Sequence, residues 1–82
     1  MTGIIVRSKA GHDKGQLFVI SGVSEKDDGC VFIADGKSRR IEKPKRKKLK
    51  HLELTESKMT VDEGFTDKKI RETIKRQKAE LI

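Results

Sequence analysis

The chain has no tryptophan and no tyrosine, and three phenylalanines are its only large aromatic side chains among 82 residues. The usual anchors of a core or of a base-stacking platform are therefore scarce, which speaks against a single-strand binder that stacks bases on aromatic rings. Cysteine occurs once, at Cys30, so no internal disulfide can form and the paired-cysteine framework of a small secreted domain is missing. Long apolar runs are missing too. The start, MTGIIVRSK, holds three consecutive apolar residues, too few for a signal-peptide core or a membrane span, and the cytoplasm is the expected compartment. With 33% hydrophobic residues the chain can bury one small core, which disfavours an enzyme with a deep pocket.

What is abundant is positive charge, 20 Lys and Arg against 13 Asp and Glu, net +7. It is unevenly spread. Residues 1–36 are close to neutral and residues 52–67 are acidic, whereas residues 37–51, KSRRIEKPKRKKLKH, hold nine basic side chains and one acidic one. Residues 68–82 are basic again. Cations crowded on one ordered edge repel one another until a polyanion relieves them, so nucleic acid is the expected partner. With few aromatics, structured RNA recognised through phosphates and shape fits better than a stacked single strand.

The apolar residues are arranged as short strands. Residues 3–7 and 16–23 read as two strands joined by the glycine-bearing loop AGHDKG. In the second, Leu17, Val19 and Val23 share one parity while Phe18 and Ile20 share the other, as expected of a strand covered on both faces in a curled sheet. CVFIA, residues 30–34, is a third strand, and the DGK that follows is a tight-hairpin signal leading to a fourth at residues 38–42. Pro44 marks a strand end or an edge, and residues 48–54 supply a fifth strand. Five closely spaced strands predict a mainly β chain built as a small five-stranded SH3-like barrel. In residues 67–82, Ile70, Ile74 and Leu81 at helical spacing predict a C-terminal α-helix capped at Thr66 or Asp67. The expected organisation is thus a barrel over residues 1–54, an acidic connector over 55–66 with a turn at Gly64, and a basic amphipathic helix over 67–82.

The glycine pair invites a comparison with phosphate-binding loops, and the spacing refuses it. A nucleotide P-loop needs four residues between its glycines, then Lys and Ser or Thr, then a helix, whereas Gly11 and Gly15 have three residues between them and QLFVI follows. A hairpin loop using glycine for its unusual dihedrals is the favoured reading. Cys30, His12 and His51 lack metal-ligand spacing, and Cys30 in an apolar run reads as core, so neither a metal, a cofactor nor nucleophilic catalysis is expected.

The stretch VRSKAGHDKGQLFVISGV, with IIV before the loop AGHDKG and an apolar strand ending at Val23, resembles a KOW motif. That motif is shared by ribosomal large-subunit proteins, transcription elongation factors and small bacterial RNA-binding proteins. Phe18 stands where KOW motifs carry a glycine, while VFIADG followed by KPKRKKLKHLEL is similar to the ribosomal branch. The resemblance spans residues 3–54 and leaves the tail uncovered. It implies a KOW-type barrel that binds RNA, usually ribosomal RNA, without catalysis. It also implies a contact loop of Gly11, His12, Asp13, Lys14 and Gly15, with Gly15 at the central glycine position.

Further phosphate contacts are expected from Lys9, Lys37, Arg39, Arg40 and Lys43. Lys45, Arg46, Lys47, Lys48 and Lys50 follow them in the densest stretch, and the arginines are the better-fixed contacts because a guanidinium can fork across a phosphate. The partners expected are RNA and ribosomal proteins, with the chain monomeric and no membrane involved, since the basic helix lacks a bulky apolar face. The competing expectation is a protein-interaction module that docks through the barrel or through the Ile70, Ile74, Leu81 stripe.

Overall fold

A computed structural model describes residues 1–60, 62 and 65–80, the side chain of Glu80 excepted. Gly64 and Leu81 lie outside the described residues, as does the end of the expected helix. The architecture is mainly β, as the strand pattern predicts. Five antiparallel strands, β1 (Ile4–Ser8), β2 (Leu17–Val23), β3 (Cys30–Ala34), β4 (Lys45–Lys48) and β5 (Leu52–Lys58), form one sheet in the order β4-β3-β2-β1-β5. A single turn of 3₁₀-helix, Leu49–His51, connects β4 to β5, and helix α1 (Asp67–Glu80) follows.

β2 is the central strand of this sheet, which explains why its sequence is apolar on both parities. On one face Val6, Phe18, Ile20, Val31, Ile33 and Leu52 fill the interior of a small barrel-like fold. On the other, Ile5, Leu17, Val19 and Ala34 pack against Ile70 and Ile74 of α1. Burying each of those isoleucines contributes roughly 1.5–3 kcal/mol, so docking on the sheet gives the helix the stability that an isolated helix of this length lacks. Thr66 caps it, its Oγ1 accepting the Lys69 amide at 3.2 Å. The register between β2 and β3 shifts between Ile20 and Gly22. Past this bulge Val23 is exposed, away from the core face its parity assigned it.

Two expected strands are displaced. Residues 38–42 are not a strand: the Asp35 carboxylate accepts the amides of Lys37 (2.9 Å) and Arg39 (2.8 Å), and this closed turn replaces the two-residue hairpin that DGK suggests. The fourth strand is instead KRKK itself, starting immediately after Pro44 on the edge of the sheet. The fifth begins at Leu52 and continues to Lys58, so residues 55–58 extend the sheet into the stretch expected to be connector.

Candidate nucleic-acid interface

The basic run divides by the pleat of β4. Lys47 is paired with Val31 and Lys45 with Ile33, both core residues of β3, so these two lysines lie on the interior face. Lys47 is buried. Its Nζ donates to Asp13 Oδ1 at 2.9 Å and to the Ala10 carbonyl at 2.8 Å, while Lys45 Nζ donates to Asp13 Oδ2 at 2.6 Å and the Ser8 hydroxyl to Asp13 Oδ1 at 2.7 Å. Burial would raise the Asp13 pKa, but the bonds from Lys45, Lys47 and Ser8, with the Lys45 charge, outweigh it and hold the carboxyl well below the usual carboxylate range. The glycine loop is thereby tied to β4. Gly11, at φ +85°, leaves room for this: a Cβ there would stand 3.4 Å from the Lys47 ammonium.

The other face of β4 points outward. Arg46 pairs with Asp28, which also accepts the Cys30 amide, and Lys48 is exposed. In the loops, Lys9, His12, Lys14, Lys37, Arg39, Arg40 and Lys43 are exposed, as are Gly11 and Gly15, and so is Lys50 in the 3₁₀ turn. Of the residues expected to contact phosphate, Asp13 and Lys47 are thus enclosed, Lys45 is only 29% exposed, and Arg46 already has a carboxylate partner.

The loop over residues 35–44, which carries four of the exposed cations, is clamped to α1. Asp67 Oδ1 accepts the Ile41 amide at 2.9 Å, and Arg71 Nη1 donates to the Gly36 carbonyl at 2.7 Å. Gly36, at φ +75°, lies so close to the first turn of α1 that a Cβ would overlap the Asp67 carbonyl oxygen. Two depressions result, side by side. One, of about 230 Å³, lies between the glycine loop and the 35–44 loop and is lined by His12, Arg39 and Lys45 among others. The second, of about 450 Å³, lies between the 35–44 loop and α1, where Lys37, Arg71, Lys75 and Lys78 surround a floor of Leu17 and Ile74. Gln16, Asp35 and Ser38 line both, so the two form a continuous strip.

This strip joins cations that are far apart in the chain. The site expected from sequence did not include Arg71, Lys75 and Lys78, although a signal for them exists: they recur at i, i+4 and i+7, one residue behind the Ile70 and Ile74 stripe. Among the described residues no group of three His, Cys, Asp or Glu side chains converges as a metal site would require, and no helix is long and apolar enough to cross a membrane. No family model and no curated protein matches the chain.

Proposed function

We propose that the chain is a non-enzymatic, KOW-type RNA-binding protein of the cytoplasm that contacts ribosomal RNA and works with the ribosome or in translation. The observation that carries this reading is the continuous strip from His12 and Arg39 to Lys75 and Lys78, on which Lys37 and Arg39 of the 35–44 loop and Arg71, Lys75 and Lys78 of α1 meet a single carboxylate, Asp35, outside the Asp13 cluster. Asp35 is itself engaged, accepting two backbone amides of its own turn. A surface of this kind attracts a polyanion, and with Phe18 buried beneath it the strip presents no exposed Phe, Tyr or Trp ring for stacking, which suits a backbone read by charge and shape. A protein-docking role for the helix stripe is weakened, because Ile70 and Ile74 are buried against the chain's own sheet.

The test is a fluorescence-anisotropy titration of a structured RNA hairpin between 50 and 200 mM salt. Neutralising about six phosphates reduces affinity roughly 10³-fold over that range, and a flat salt dependence overturns the proposal. Sedimentation of lysate, with and without nuclease, places it further. Co-migration with large ribosomal subunits that nuclease abolishes is the expected result, while partners that survive nuclease support a protein-interaction module instead.

A further inference from the structure

We infer that the groove between α1 and the 35–44 loop is a second phosphodiester-binding site, so that the helix is part of the nucleic-acid interface and not only a cover for the sheet. The inference rests on the RNA-binding reading above and deepens it, giving the α1 end of the strip phosphate contacts of its own, made by Lys37 together with three cations that lie outside the basic run. Three features carry it. Lys37, Arg71, Lys75 and Lys78 converge on one groove from two elements, and no ion pair holds any of them among the described residues. Arg71 is fixed in place by its bond to the Gly36 carbonyl, which leaves the remaining N–H groups of its guanidinium for an acceptor. The groove offers no aromatic ring, so it supplies point charges and aliphatic stems, which suit phosphates and not bases.

The opposite flank of the helix gives an internal control. Lys69 and Arg76 face a separate depression beside Lys58, Met59 and Thr60, and they carry the same charge as Lys75 and Lys78. The experiment compares the full chain with two double variants, Lys75→Ala with Lys78→Ala and Lys69→Ala with Arg76→Ala. Each is titrated against two RNA hairpins of different loop sequence, with far-ultraviolet circular dichroism verifying the helix. The groove variant is expected to bind at least about tenfold more weakly at 50 mM salt. Its log–log salt slope becomes shallower by roughly 1.8, two contacts at about 0.9 each for a duplex, and the loss is equal for both hairpins. The control variant keeps a slope close to that of the parent. An unchanged slope in the groove variant, or an equal loss in the control, overturns the groove site while leaving RNA binding intact. Failure of the parent itself to bind either hairpin removes the RNA-binding reading, and this inference with it.

Discussion

Lys47 and Lys78 carry the same ammonium on the same flexible stem, and their surroundings differ in nearly every respect. Lys47 is buried on the interior face of β4, with its charge shared between Asp13 and the Ala10 carbonyl. Lys78 stands exposed at the rim of a groove with three other cations. The denser basic stretch therefore contributes part of its charge to holding the glycine loop, while the sparser one presents its charge to solvent. Charge density along a sequence and charge available at a surface are separate quantities, because an acid brought in by the fold can cancel one and leave the other untouched.

The contrast can be broken most sharply at Asp13. Replacing it in Asp13→Ala leaves Lys47 enclosed without its carboxylate, and a loss of about 3 kcal/mol in urea denaturation is expected. Lys47→Ala removes both a packed stem and a charge, and a cost of about 2 kcal/mol is expected. A loss near zero for either would mean that the cluster does not hold the loop.

Acid provides a graded version of the same test. The Asp13 carboxyl is depressed in the folded chain and titrates near roughly 3.9 when unfolded. Its stabilising contribution is complete above about pH 4 and is lost as pH falls below that value toward the folded pKa. Denaturation midpoints measured from pH 5 to pH 2 should fall for the parent and fall less for Asp13→Asn. Equal slopes would assign the acid sensitivity to other carboxylates. The smallest effect belongs to the helix, where Lys75→Ala with Lys78→Ala should shift stability by no more than about 0.5 kcal/mol, even where RNA binding suffers. A large shift would make these lysines structural, like Lys47.

Much of the fold was legible in the sequence where hydrophobic periodicity was strong. β1, β2, β3 and the start of α1 lie within a residue of their expected positions because Val, Ile, Leu and Phe alternate or recur at helical spacing there. β4 was illegible for a physical reason: in KRKK the inward and outward residues are all cations, so period two leaves no trace in hydropathy. The local turn signal of DGK also misled, since the Asp35 carboxylate closes a wider turn that α1 then holds in place. For the interface, the exposed lysines and arginines could be enumerated from sequence. Their grouping could not, because Lys37 and Lys75 become neighbours only after the helix docks.

The tight approach of Gly36 to the first turn of α1 has a mechanical meaning. With room there for nothing larger than hydrogen, and with Asp67 bonded to Ile41 and Arg71 to Gly36, loop and helix are joined at three points. The two backbones are held like the jaws of a caliper whose gap is set when the chain folds, and the exposed lysine stems of both reach out from that fixed base.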